Sequence, residues 1–198
     1  QAKRRRYARR TTNSDHPHPV APNRLERRFA VTDIAAPNQV WAGDITYVPT
    51  REGWRSVAVI LDLASRRVVG WAMQPTLAQS LTCAALRMAL LHRQPAPGLL
   101  HHSDRGGQYA AGDYQALLTT HQLLPSMSRK GEGYDNAVVE RCFATLEGEL
   151  IDRHDWHTRQ EAQAAICEYI EVWYNRQRRH ATLGYRSPAA YEQAMLAT

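Results

Sequence analysis

Three carboxylates stand out by their settings. Asp44 lies in the middle of NQVWAGDITYV (38–48), a run rich in β-branched and aromatic residues that reads as a strand. Both faces of that run are largely apolar, which predicts a central strand covered on both sides. An ionised carboxylate there is costly unless a cation compensates it. Asp104 closes the short apolar run LLHHSD (99–104) and precedes Gly106 and Gly107. That is the C-terminal end of a strand, where α/β sheets hold their ligands. Glu140 comes after the glycine-broken basic loop Arg129-Lys130-Gly131-Glu132-Gly133 and the turn Tyr134-Asp135-Asn136. It sits early in a helix whose Val139, Phe143, Leu146 and Leu150 form one apolar stripe, with Asp135 or Asn136 as the expected N-cap. Glu140 falls roughly 90° from the centre of that stripe, at the rim of the packed face. Alone, it reads either as a solvated helix residue or as one that reaches a ligand. Together, three hard oxygen donors suit Mg²⁺ or Mn²⁺, and two such ions clamp the attacking and leaving oxygens of an in-line phosphoryl displacement. Asp44, expected to be the most buried, would bridge both ions, with Asp104 and Glu140 holding one each.

The words PNQVWAGDITYV, LDLASRRVVGWAM, LHHSDRGGQYA, SRKGEGYDNAVVERCFATLEGEL and YIEVWYNRQRRHATLGYRSPAAYE follow one another along most of the chain. In this order, and with 35 residues between Asp104 and Glu140, the sequence resembles the DDE transposases of bacterial insertion sequences, which carry a retroviral-integrase-type core. It is most similar to the IS-three group, whose transposase fuses two overlapping reading frames; the chain resembles the product of the second. The resemblance implies a catalytic and metal-binding triad of Asp44, Asp104 and Glu140, with two Mg²⁺ (or Mn²⁺) ions when DNA is bound. It also implies transposition through a DNA circle, a homo-oligomeric complex on two DNA ends, and an upstream helix-turn-helix region that this chain does not contain. Three positions depart from the family pattern: Gly107 for Ser, Cys142 for an aromatic, and Glu147 for Lys. The last removes a possible phosphate contact.

Charge is unevenly placed. Residues 1–30 carry nine Lys/Arg against two acids, so the formal +6 of the chain resides in its first segment and the rest sums to about −1. Lys3, Arg4, Arg5 and Arg6 open a tail that reads either as a phosphate-neutralising arm or as a solvated one. Pro17, Pro19, Pro22 and Pro37 mark a linker, within which Arg24–Ala30 is expected to form a helical turn or two. The candidate DNA contacts of the body are Arg105, Arg129, Lys130, Asn136, Arg176, Arg178 and Arg179. The loop 128–134 is expected to close on a phosphate, and the cationic run after Tyr174 either to meet phosphates or to complement a helix dipole. Cys83, Cys142 and Cys167 are dispersed and odd in number, as in reduced thiols of a cytosolic protein, and no histidine pair has cysteine partners at zinc-finger spacing. No apolar run approaches a membrane span and no secretory leader pattern is present, so the expected location is the bacterial cytoplasm, with the nucleoid.

These residues need elements to position them. Strands are predicted at about 40–49, 54–62, 67–73, 98–102 and 123–126, with helices at about 77–92, 109–121, 137–150, from 158 onward and from 188. Thr158 with Glu161 reads as a capping box, and Ser187 with Pro188 as a helix start. Asp62 ends a strand, either as a fourth metal-site acid or in a turn or ion pair with Arg66 or Arg67. Three antiparallel strands followed by alternating helices and strands describe an α/β, ribonuclease-H-like fold: a five-stranded mixed sheet flanked by helices. Residues 1–38 would be tail and linker, and 39–198 an integrase-type core with a C-terminal helical extension. The expected function is metal-dependent cleavage of DNA at element ends and strand transfer of the 3′-hydroxyl. The alternatives are a ribonuclease-H-type nuclease and a non-catalytic DNA-binding or assembly domain.

Overall fold

The computed structural model describes residues 16–197. Five strands form one sheet: β1 (Val40–Thr50), β2 (Gly53–Asp62), β3 (Val68–Gln74), β4 (Leu100–Ser103) and β5 (Leu124–Met127). Their order is β3-β2-β1-β4-β5. β1, β2 and β3 form an antiparallel meander, while β4 runs parallel to β1 and β5 parallel to β4. The helices are α1 (Gln79–Arg93), α2 (Gly107–Ala110), α3 (Gly112–Thr120), α4 (Ala137–Glu149), α5 (Arg159–Glu168) and α6 (Pro188–Leu196). This is the ribonuclease-H-like arrangement that the strand and helix pattern predicts.

The sheet is covered on both faces. Along β2, Val57, Val59 and Leu61 enter one core with Val139, Phe143 and Leu146 of α4 and with Ala162 and Ile166 of α5. Ala58 and Ile60 enter the other, with Leu81 and Leu86 of α1 and with Tyr114 and Leu118 of α3. Side chains of a strand alternate between faces, so an unbroken apolar run is what a doubly covered strand requires. Helix α1 approaches β3 closely at Gly70. A Cβ there would stand 2.3 Å from the Ala85 carbonyl oxygen and 2.7 Å from the Ala89 Cβ, so only glycine permits this contact.

Several elements differ from expectation for visible reasons. Residues 24–30 form a turn instead of a helix, with Glu26 and Arg27 at φ 49° and 61°. Leu25 and Ile34, inside the expected linker, are buried in the core that holds Val139 and Phe143. Helix α5 continues into a π-helical turn, Tyr169–Tyr174. Along this wider turn Tyr174 is buried (3% exposed) while Trp173 is 46% exposed. Asn175 then bonds both the N–H and the carbonyl of Val68 at 2.9 Å, a side-chain substitute for a neighbouring strand at the edge of β3. Thr158 caps α5 by accepting from the Glu161 N–H, but the Glu161 carboxylate turns to the His157 N–H. Ser187 caps α6 as expected.

Asp62 holds a turn. Fully buried, it accepts from the Asn38, Ala64 and Ser65 N–H groups and from the Trp41 indole. Arg67 pairs with Glu192 of α6 instead, at 2.8 Å, beside Arg93 at 2.6 Å.

On the other face, His101 lies 2.9 Å from the Tyr114 hydroxyl, and burial pushes its pKa down to about 3. The native imidazole is therefore neutral, whereas the unfolded one takes a proton below its ordinary value. Stability tied to His101 is complete above pH 6.5 and lost as pH falls towards the folded value. Denaturant titrations should show wild type losing about 2 kcal/mol more than His101→Gln between pH 7 and pH 5.

Candidate active site

The site begins with strand pairing. Parallel β1 and β4 pair Ala42 with His102 and Gly43 with Ser103, and the next residue on each chain is an aspartate. Neighbouring strands lie about 4.8 Å apart, so Asp44 and Asp104 stand side by side where β4 ends. Each is fixed by a backbone amide: the Ile45 N–H donates to Asp44 Oδ1 and the Gly106 N–H to Asp104 Oδ1, both at 2.8 Å. In each case one oxygen is tied to the chain. A side chain at Gly106 would press on this arrangement, since its Cβ would stand 2.9 Å from Asp104 Oδ1.

The acids repel one another. Asp44 keeps a partly exposed surface, but the surrounding protein raises its pKa well above the carboxylate range, and the charges of Asp104, Glu140 and Glu147 add to this against the Ile45 N–H. Glu140 is exposed on the first turn of α4, and its pKa is raised by partial desolvation and by Asp104. Glu147, two helical turns further on and so on the same side of α4, accepts from the Thr46 hydroxyl at 2.9 Å. Thus Asp44 and Asp104 are adjacent, while Glu140 is within electrostatic reach. Among the described residues, no three Asp, Glu, His or Cys side chains converge closely enough to hold a metal as they stand.

The start of α4 is tied down in an unexpected way. Neither Asp135 nor Asn136 caps the helix with its side chain. Asn136 is buried, its amide donates to the Gly43 carbonyl at 3.4 Å, and its Oδ1 has no partner. Asp135 accepts from the Arg129 backbone N–H and guanidinium, from Arg27 Nε at 2.8 Å and from Asn23 Nδ2 at 2.9 Å. These donors, Arg129 foremost, hold its carboxyl well below the usual range despite its burial. Arg27 also reaches Glu132 at 2.6 Å, and the Arg24 and Leu25 amides donate to Ser126, which itself contacts the buried His102.

The expected DNA contacts fall into different places. Arg129 is engaged by Asp135, and Arg178 by Glu149 at 2.8 Å. Arg105 donates to the Ser128 carbonyl at 2.5 Å. Lys130, Arg176 and Arg179 are exposed. Lys3, Arg4, Arg5 and Arg6 lie outside the described residues. Asn23 carried no expectation, and Arg27, with Arg24 and Arg28, only that of following a DNA backbone or facing water; neither Asn23 nor Arg27 lies near Asp135 in sequence, so no local signal pointed to this pairing.

A five-stranded mixed sheet in the order β3-β2-β1-β4-β5, flanked by helices, is a core of the ribonuclease-H-like class. The chain belongs to the integrase core domain family: residues 35–132 match one model so described and residues 121–188 a second. It is 49% identical over 191 residues to the insertion element IS600 uncharacterized 31 kDa protein of Shigella sonnei, covering 96% of this chain and 69% of that one. It is 47% identical over 182 residues to the transposase InsF for insertion sequence IS3A of Escherichia coli strain K12, covering 92% of this chain and 62% of that one. The chain thus spans about two thirds of the length of these relatives. The HTLV-2 integrase catalytic core domain, solved in complex with magnesium in a trimeric form, superposes with a TM-score of 0.59 at 17% identity, over 79% of this chain and 97% of that one. Among the described residues, no helix is long and apolar enough to cross a membrane.

Asp135→Asn removes the charge that gathers Arg27 and Arg129. Hydrogen exchange should then speed up at least about tenfold for the amides of 129–136 while those of β1 and β2 keep their protection.

Proposed function

We propose that this chain performs the chemical steps of DNA transposition: hydrolysis of a phosphodiester at an element end, then transfer of the freed 3′-hydroxyl to a second DNA phosphate. The observation that carries the reading is the Asp44–Asp104 pair, set side by side by the β1–β4 register in an integrase core fold, with Glu140 within electrostatic reach. In the first step the oxygen of water forms a bond to phosphorus and the P–O3′ bond breaks, leaving a 3′-hydroxyl and a 5′-phosphate. In the second, the 3′-oxygen forms a new P–O bond and the target strand's own 3′-oxygen departs. Only the nucleophile differs, and no covalent enzyme intermediate is required.

The carboxylates fit a divalent cation on physical grounds. Like charges raise one another's proton affinity here, and a hard cation relieves that repulsion as a proton would. The orphaned Asn136 Oδ1 beside Gly43 is a further acceptor with no protein partner. Asp44 and Asp104 would hold Mg²⁺ or Mn²⁺ through their oxygens, with Glu140 joining by a movement of its side chain or of α4, and two ions serving when DNA is bound. Such ions activate the attacking oxygen and neutralise the leaving one. Magnesium in the HTLV-2 integrase core supports this reading. The Ile45 and Gly106 amides orient the two aspartates, and Arg129, Lys130, Arg176, Arg178 and Arg179 supply charge for the DNA backbone, Arg129 by exchanging Asp135 for a phosphate. Assembly on two DNA ends as an oligomer, and an upstream DNA-recognising region in the whole protein, complete the proposal, as does work at the nucleoid.

Asp44→Asn, Asp104→Asn and Glu140→Gln, each placed in the whole transposase, should lower end cleavage and joining by on the order of 10³-fold or more while end binding in a gel-shift assay stays within a few-fold. Unchanged activity in Asp44→Asn would leave a binding or assembly role instead. A pre-cleaved end should yield joined product; release of cleaved strands alone would identify a nuclease. Gly106→Ala should lower joining by about tenfold or more through displacement of Asp104, with the fold intact by circular dichroism.

A further inference from the structure

Tyr109 carries a buried hydroxyl with no hydrogen-bond partner, on the segment that also carries Asp104. It is 1% exposed, and its ring packs edge-on against Tyr114 with centroids 5.3 Å apart. Its Cε1 lies 3.3 Å from where a Cβ on Gly43 would stand, directly beside the last β1–β4 pair before the two aspartates. The backbone is pinned as well, since the Gln115 amide donates to the Tyr109 carbonyl at 2.7 Å. The neighbouring Tyr114 hydroxyl is satisfied by His101. The Tyr109 ring is thus held between Tyr114 and the Gly43 backbone, with its hydroxyl buried and unpartnered.

Buried polar groups are almost always bonded, and an orphan calls for an explanation. A phenylalanine would fill the same space without the cost of an unmade bond. The explanation lies close by: the ring packs against Gly43, whose neighbour is Asp44, and burial foremost, with the charges of Asp44 and Asp104 adding to it, keeps the phenol protonated and hence a donor. We propose that Tyr109 is a positioning residue for the aspartate pair: its hydroxyl donates to an Asp44 or Asp104 carboxylate oxygen when a divalent cation draws the pair into its ligating arrangement. The proposal rests on the two-aspartate reading of the site. An oxygen so held is aimed at the cation, and the orphan is satisfied only in the loaded state. The hydroxyl thus acts through the carboxylates and touches no DNA.

Binding of Mn²⁺ alone, followed by electron paramagnetic resonance on wild type, Tyr109→Phe and Asp44→Asn, tests this together with thermal unfolding of each in the absence of metal. Tyr109→Phe should bind Mn²⁺ about tenfold more weakly while its metal-free unfolding temperature equals or exceeds that of wild type. Metal-free destabilisation with unchanged Mn²⁺ affinity would make Tyr109 a packing residue and overturn the proposal. So would wild-type affinity in Tyr109→Phe where Asp44→Asn has lost binding, and in that case the site reading stands. If wild type and Asp44→Asn bind Mn²⁺ alike, the two-aspartate site fails, and the role of Tyr109 with it.

Discussion

Two acidic side chains held side by side are the constraint on which this structure turns. The β1–β4 register sets Asp44 and Asp104 next to one another, because parallel pairing continues to the residue before each. Burial and neighbouring acids raise the proton affinity of Asp44, and partial burial with Asp104 raises that of Glu140, so the site favours a proton or a cation among its oxygens. Burial on both faces holds the sheet around it: β2 contributes alternate residues to two apolar clusters, and α1 presses onto β3 at Gly70. A sheet with one solvated face would have less to set against a destabilising centre. The acids are thus a property of the central strands, whereas Glu140 arrives on a helix whose position depends on a loop.

Much of this was legible in the sequence because it follows local rules. The apolar run of β2, the stripe Val139-Phe143-Leu146 and the caps of α5 and α6 each arise from spacing of a few residues. The adjacency of Asp44 and Asp104 was implied by family likeness and by their places in strands, and the parallel register supplies the physical reason. What sequence did not reveal depends on distant partners. A π-helical turn has no simple periodic signature, so the burial of Tyr174 and the exposure of Trp173 do not follow from helical spacing. Asp135 and Asn136 have the chemistry of helix caps, yet neither caps: guanidinium groups claim the Asp135 carboxylate, and Asn136 turns its amide to the Gly43 carbonyl and leaves its oxygen unpartnered. The proline-rich stretch reads as linker by composition, but Leu25 and Ile34 each find a place in the core.

The segment before β1 and the loop before α4 form one unit through Asp135. Arg27 and Asn23 reach it from one side and Arg129 from the other, while Ser126 receives the Arg24 and Leu25 amides. Glu140 is only five residues beyond Asp135. The placement of the third acid is consequently coupled to residues more than a hundred positions upstream, through ion pairs whose acid is shielded from solvent.

The same clasp alters how the molecule's charge is felt from outside. Arg27, Arg129, Arg178, Arg67 and Arg93 each lie against a carboxylate, while Lys130, Arg176 and Arg179 stand exposed. Counterions condensed on a polyanion are released only by cations free to approach it. The ionic-strength dependence of the body's association with any such polymer should therefore be shallower than its tally of arginines implies. It would steepen if Asp135, Glu149 or Glu192 surrendered its partner.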